Sequence, residues 1–509
     1  MAKAVKLYSA QVVGLQGEIV DVEIDLSRGL KKLMIVGLPD KAVEESLERI
    51  SAAIKNSGLT SPQKRNQRVV VSLAPADLKK EGPAFDLAIA LGYLKASAQL
   101  DFESAGRLFV GELSLNGHLR RIRGALPIAR RARDAGFKEL FVPQGNGREA
   151  ALVPGIQVFE AGSLSDIIQH LHGEVIIPSL PETLAKKQEQ QSHEMDFADI
   201  KGQEAGKRGM LIAASGGHNI LMSGPPGTGK TMLAKALPSI LPPLGKEEML
   251  EVTAIHSVIG DTKHGVVSVR PFRSPHHTAS YVAIVGGGAW PKPGEVTLAH
   301  RGVLFLDEFP EFEGRVIESL REPLENGKIA ISRAKGTIEF PARIMLVCAM
   351  NPCPCGHLGS KAHSCVCTPQ ALYRYQRKLS GPIIDRLDLW LEVTQIDHDK
   401  LSAPRTGETS SEMLARVVAA RELQKERFQN EKIFVNGEMS AKQLEKYAPL
   451  TASSRQILNQ AAKKLGLSPR SYHRVIKIAR TIADLGASPE IKETHLLEAL
   501  QYRPPQADN

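Results

Sequence analysis

The residues best placed to do chemistry stand in the stretch NILMSGPPGTGKTMLAKAL, which begins at Asn219. Gly224, Pro225, Pro226, Gly227, Thr228, Gly229, Lys230 and Thr231 fit the spacing G-x-x-x-x-G-K-[ST] at every position. Glycines let successive backbone N–H groups turn inward around phosphate oxygens, at the positive end of the helix that follows. Lys230 adds a point charge for the terminal phosphates, and the Thr231 hydroxyl suits Mg²⁺. The expected ligand is ATP with Mg²⁺. Downstream, GVLFLDEF runs from Gly302 as an apolar strand into Asp307 and Glu308. Asp307 can hold Mg²⁺ through water, and Glu308 can orient and polarise an attacking water. A third apolar run, IMLVCAMN from Ile344, ends at Asn351, whose amide can align that water beside the γ-phosphate. Phosphoryl transfer concentrates charge on equatorial oxygens, which an added guanidinium stabilises. Arg386, in GPIIDRLDLWLEV, and Arg470, in SPRSYHRVIKIARTIADL, fit that work.

Four of the five cysteines cluster, as Cys353 and Cys355 and then Cys365 and Cys367. Four thiolates in one short stretch suit tetrahedral zinc. The C-x-C spacing is tighter than the commoner C-x₂₋₄-C, although Pro354 and Gly356 favour a narrow knuckle. Two disulfides or unligated thiols are the competing states, and a reducing cytosol disfavours the disulfides. His357 and His363 are spare ligands; Cys348 reads as core.

Other stretches could meet a polyanion. Leu119 to Lys138 carries seven basic side chains against one acid, and Lys463 to Arg480 carries six against none. Each could equally be a solvated helix face. ENGKIAISRAKGTIEF, from Glu325, reads as a β-hairpin whose Lys328, Arg333 and Lys335 could meet the phosphates of a polyanion without sequence preference. An insert from Arg270 to Glu295 is rich in Gly and Pro. Its His276 and His277 read as turn packing, and Gly286 to Gly288 as a mobile loop.

These groups need a scaffold. At ~150 residues per domain the length predicts about three domains. Apolar residues at 42% and charged residues at 24% exclude a mainly disordered chain. The absence of any run of about 18 apolar residues predicts no membrane span, and the alternating start MAKAVKLYSAQVVG lacks a signal peptide's apolar stretch. A cytoplasmic location is expected. The net charge of +9 permits an anionic partner without proving one. Aromatic residues make up only 5%, which argues against a base-stacking sheet. Residues 1–177 read as one α/β domain and 178–198 as a polar, proline-bearing linker. Residues 199–395 read as a parallel α/β core with a knuckle-like insertion at 351–368. A joint at 396–410 then leads to helices over 411–509.

The order GPPGTGKT, FLDE, LREPLENG, NPCPCG, GPIIDRLDL and SPRSYHRVIKIARTIADL resembles the YifB/ComM group of magnesium-chelatase-like AAA+ ATPases, over essentially the whole chain. The resemblance implies a P-loop AAA+ core with a C-terminal helical lid. Gly224 to Thr231 then match Walker A, Asp307 and Glu308 Walker B, and Asn351 sensor 1. Arg386 matches an arginine finger that reaches a neighbouring subunit. Arg470 matches sensor 2, with Arg474 the competing choice. Hexameric rings with ATP between subunits are implied, and so is a motor on branched or single-stranded DNA, a branch-migration helicase in recombination of transforming DNA. The alternatives are chelatase-type or chaperone-like remodelling of a protein partner.

The first 177 residues look like the Lon protease domain, of ribosomal-S5-like fold. Where Lon proteases carry the nucleophilic serine this chain has Ala84, and Leu126 stands at the catalytic lysine. Ser–Lys cleavage then has neither nucleophile nor base, so the resemblance implies a domain without protease activity.

Overall fold

The computed structural model describes residues 4–182, 195–261, 265–288, 291–333, 336–359, 363–396 and 407–503. Lys335 and the Arg333 side chain lie outside the described set, as does most of each polar joint. The chain divides into two compact units. Met1–Glu189 forms the first together with Gly245–Ser268, and the rest of the chain forms the second.

In the first unit a four-stranded sheet has the order Val5–Val13, Gln16–Arg28, Gln67–Ala74, Lys32–Val36. Period-two alternation sends Val20, Val22 and Ile24 inward, with Val22 opposite Leu73 and Ile24 opposite Val71 of the neighbouring strand. Helices Lys41–Asn56 and Asp86–Ala96 contribute to the same core. A second sheet has the order Ser179–Leu180, Gln157–Ala161, Glu139–Pro143, Arg107–Phe109. Helix Ala125–Asp134 lies in a separate cluster with its strands, and Leu250, Ala254 and Val266 pack against that cluster. The segment from 245 to 268 therefore leaves the second unit's chain and is spent on the first unit's core.

A five-stranded, wholly parallel sheet forms the frame of the second unit. Its order is Phe272–Arg273, Val303–Leu306, Met345–Met350, Ile220–Ser223, Leu389–Glu392. The three apolar runs read in the sequence are its three central strands. Every residue of Val303–Leu306 and Met345–Met350 is buried, as expected of parallel strands covered on both faces. The C-terminal helices Ser410–Arg427, Pro469–Leu485 and Glu493–Gln501 pack against helix Glu204–Gly216. Arg208 binds Glu498 through two hydrogen bonds of 2.7 and 3.1 Å, and Ser410 bonds Ser239 at 2.7 Å. Among the described residues no helix is long and apolar enough to cross a membrane.

Candidate nucleotide-binding site

Ile220–Ser223 delivers the chain to the loop Gly224–Gly229, and Lys230–Ala236 continues as a helix. Gly227 and Gly229 hold φ of +75° and +91°, the left-handed region where a Cβ is strained. Gln203 donates to the Thr228 and Thr394 carbonyls at 2.9 and 2.7 Å, bracing the loop from outside. Lys230 is only 8% exposed. Its ammonium donates to the Gly224 and Pro225 carbonyls at 2.6 and 2.8 Å and lies 3.4 Å from Asn351 Oδ1. Burial lowers its pKa, against the opposing pull of Asp307.

Thr231 Oγ1 donates to Asp307 Oδ2 at 2.8 Å, so the two residues read as Mg²⁺ ligands face one point. Hard oxygen donors of this kind suit Mg²⁺. Asp307 and Asn351 each follow a strand beside Ile220–Ser223 or one strand away, which brings both to the loop. Glu308 comes next, with φ of +52°, left-handed in a non-glycine residue. Its carboxylate lies 3.0 Å from His277 Nδ1 and the side chain is 54% exposed. His277 in turn sits on the His276 ring at 4.2 Å. The histidine doublet reads as turn packing in the sequence, yet one ring of it partners Glu308, the acid beside Asp307. Only the adjacency of two histidines in a Gly- and Pro-rich insert hinted at this. Elsewhere in that insert, Gly286 and Gly287 pair with Pro293 and Lys292 in a short ribbon.

The four cysteine sulfurs lie within 4.8 Å of one another. Cys353 Sγ is 3.4 Å from Cys355 Sγ and 3.7 Å from Cys365 Sγ, and Cys355 and Cys365 are also 3.7 Å apart. A tetrahedron of ~2.3 Å Zn–S bonds has edges of about 3.8 Å, so the thiols fit that ion. All four are free rather than bridged. The Leu358 N–H donates to Cys353 Sγ at 3.3 Å. Gly356, at φ +80°, lies so close to the phosphate loop that a Cβ there would stand 2.8 Å from Pro226 Cδ. The knuckle thus rests on the loop, a contact no spacing rule foretells. Tyr375, buried on helix Pro369–Gln376, donates its hydroxyl to the Asn351 carbonyl at 3.2 Å.

The arginines lie elsewhere. Arg386 donates to the Pro382 carbonyl at 2.7 Å and to Glu325 Oε2 at 2.7 Å. Arg474 donates to the Leu387 carbonyl at 3.4 Å, with Nε 3.4 Å from Asp388 Oδ1. Leu389 pairs with Ile220, whereas the phosphate loop starts beyond Ser223, which pairs with Glu392. Arg386 and Asp388 therefore stand at the opposite end of the strands, at least roughly 10 Å from the loop at ~3.3 Å per residue. Arg470 is exposed in the first turn of Pro469–Leu485. Burial alone would raise the Asp388 pKa, but His218, Arg474 and Lys477 together hold it down at about 2.

On the hairpin, Lys328–Arg333 pairs with Gly336–Pro341, and Ile329, Ile331 and Phe340 are buried. Lys328 is bound to Glu339 at 2.6 Å, so its charge is compensated within the hairpin. That pair is exposed, worth about 0–1 kcal/mol, and phosphate can compete for it.

Comparison with known proteins decides the family. The profile described as magnesium chelatase, subunit ChlI, matches residues 196–401, and that of its C-terminal region matches 407–503. A further ChlI profile matches 22–146. Competence protein ComM of Haemophilus influenzae is 43% identical over 502 residues, covering 98% of this chain and 97% of its own. The chain belongs to the ComM/YifB family of magnesium-chelatase-like AAA+ proteins. The YifB protein of Escherichia coli is also 43% identical, over 98% of this chain and 96% of its own. The magnesium-chelatase 38 kDa subunit of Rhodobacter capsulatus is 28% identical over 31% of this chain and 50% of its own. The alignment with that chelatase subunit spans 31% of this chain, whereas the one with ComM spans 98%.

Proposed function

We propose that the chain is an ATP-hydrolysing motor that acts on DNA as a homo-hexameric ring, a branch-migration helicase in recombination of transforming DNA. The observation that carries this reading is the separation of Arg386 from the phosphate loop. A loop with Lys230, Glu308 and Asn351 at one end of the sheet, and guanidinium groups at the other, make a complete site only when a second subunit faces the first. Full-length similarity to a protein named for competence supports DNA as the track.

In this mechanism the loop amides and Lys230 hold the β- and γ-phosphates, and the phosphate oxygens replace the loop carbonyls around the ammonium. Glu308 leaves His277, takes a proton from the water that Asn351 aligns, and the water oxygen bonds to the γ-phosphorus as the bond to ADP breaks. Arg386 of the neighbouring subunit, released from its own Glu325, meets the charge on the equatorial oxygens. Arg470 is exposed and free to serve as sensor 2, while Arg474 is engaged on Asp388. Mg²⁺ held by Thr231 and Asp307 would neutralise charge on the β- and γ-phosphates. Zn²⁺ held by Cys353, Cys355, Cys365 and Cys367 would brace the knuckle against Pro226. Lys328 and Arg333 belong to the hairpin that this reading directs toward the DNA, and Lys335, outside the described residues, is assigned the same role from the sequence.

The first unit is read as a Lon-like, ribosomal-S5-like domain without proteolysis, and the C-terminal helices as the lid. Ala84 offers a methyl group and Leu126 is buried in a core cluster. Nearby buried charges are already engaged, Asp86 by Arg49 at 3.0 Å and Lys80 by the Pro75 carbonyl. The test is ATP turnover and dissociation of a branched DNA, for the wild type and Lys230→Ala. Both activities should be present in the first and absent in the second. If no DNA structure binds or stimulates hydrolysis while a protein partner does, the chelatase-type or chaperone-like reading replaces this one. Elemental analysis of reduced protein should find one zinc per chain.

A further inference from the structure

Helix Pro369–Gln376 follows the cysteine knuckle directly, with Thr368 accepting the Ala371 N–H and Pro369 in its first turn. Gln370, Tyr373, Arg374 and Arg377 recur at i, i+3, i+4 and i+7, so they share one side, and all four are exposed. Tyr373 is 58% exposed, a high value for so large a ring. The Arg377 guanidinium lies 5.3 Å from the centre of that ring and its Nη1 is 3.4 Å from the hydroxyl. Together with Lys378 these residues line a shallow depression of about 450 Å³. From 368 to 384 the sequence holds no acid. The acid that does approach is Glu311, and it takes Lys378 at 2.8 Å, leaving Arg374 and Arg377 on the outer side. Val366, 82% exposed between two of the cysteines, adds apolar surface just before the helix.

The inner side of the same helix reaches the nucleotide site. Tyr375 donates to the Asn351 carbonyl, and Asn351 Oδ1 faces the Lys230 ammonium. Lys378 holds Glu311, which closes the short turn Phe309–Glu311 that follows Glu308. A force on the outer side is therefore passed to two of the three strand ends that form the site.

We propose that this helix side grips a single strand of DNA and signals its presence to the nucleotide site through Tyr375. The proposal rests on the DNA-motor reading above. Two arginines supply charge for consecutive phosphates, and an exposed ring already stacked with a guanidinium is a platform for an unpaired base. Duplex DNA keeps its base faces stacked internally and offers Tyr373 nothing to cover.

The experiment is fluorescence anisotropy of labelled oligo-dT and of a matched duplex on the full chain, over a salt series, beside ATP turnover with and without oligo-dT. Tyr373→Ala should weaken oligo-dT binding by roughly tenfold, and Tyr373→Phe should restore it. Arg374→Ala with Arg377→Ala should weaken it further and flatten the salt slope by about 1.4, at ~0.7 per phosphate contact on a single strand. Lys425→Ala, an exposed lysine on another helix, should change nothing. Tyr375→Phe should bind oligo-dT normally and lose most of the DNA-stimulated increment in turnover. If the wild type binds oligo-dT and the Tyr373 and arginine variants bind it equally well, this surface is not the contact, though the motor reading survives. Equal losses for duplex and single strand would overturn the stacking role. A wild type that binds no DNA at all would remove the motor reading and this proposal together.

Discussion

The two ends of the parallel sheet are built on different physical principles. At the carboxyl ends Lys230, Thr231, Asp307 and Asn351 converge within hydrogen-bond reach, and most of their partners are backbone carbonyls or one another. At the amino ends Arg474 pairs with the Asp388 carboxylate, Arg503 donates to the Asp388 backbone carbonyl, and Arg386 is held by Glu325. The first end is fixed by the turn chemistry of one loop. The second depends on Arg474, on a C-terminal helix more than 80 positions further on, being brought to the Asp388 carboxylate and the Leu387 carbonyl. On the proposed reading, an ATPase site that needs both ends is completed only between chains, which would make activity and assembly one property.

The sharpest way to break this comparison is Arg386→Ala. Turnover should fall by about 10³-fold, with nucleotide affinity retained in an equilibrium titration. Mixing Arg386→Ala with Lys230→Ala should recover part of the turnover, because some interfaces then pair an intact loop with an intact arginine. No recovery at any ratio would mean that the two ends cooperate within one chain. Next in size is Asp388→Asn, which leaves Arg474 and Lys477 without their buried counter-charge. It should cost about 3 kcal/mol in denaturant unfolding, whereas an equivalent loss of an exposed pair would cost under 1.

A smaller effect comes from acid. The Asp388 pKa is about 2 against an ordinary 3.8, so its ionised form is favoured by folding. The stabilisation is fully present above pH 3.8 and is lost as pH falls through 2. It amounts to about 2 kcal/mol, and thermal unfolding of Asp388→Asn should lack that pH-dependent increment. Smallest of all is His277→Ala. The His277–Glu308 pair is half exposed and worth about 0–1 kcal/mol, so turnover should change by no more than about fivefold. A larger loss would show that His277 does more than hold the glutamate in place.

Much of the carboxyl end was legible beforehand because it is written in short, contiguous spacings. GPPGTGKT, FLDE and the Asn351 strand each combine an apolar run with a polar terminus, and a parallel sheet turns such runs into adjacent strands. The cysteine cluster was legible for the same reason. His277 on Glu308, Gly356 on Pro226 and Tyr375 on Asn351 were not. In each pair the partners come from different elements, and neither side chain advertises the other. The free cation expected at Lys328 became half of an ion pair because strand register sets Glu339 beside it.

By itself the sequence determined the phosphate loop, the order of acid, amide and arginine after it, and the cysteine quartet, since these depend on local geometry and residue chemistry. Only tertiary structure decided which end of the sheet each group occupies. It also decided that the segment from 245 to 268 joins the first unit's core, and that the helix after the knuckle joins an exposed arginine–tyrosine side to a buried tyrosine at the nucleotide site. These outcomes follow from strand direction and burial, which are settled when distant segments compete for the same core.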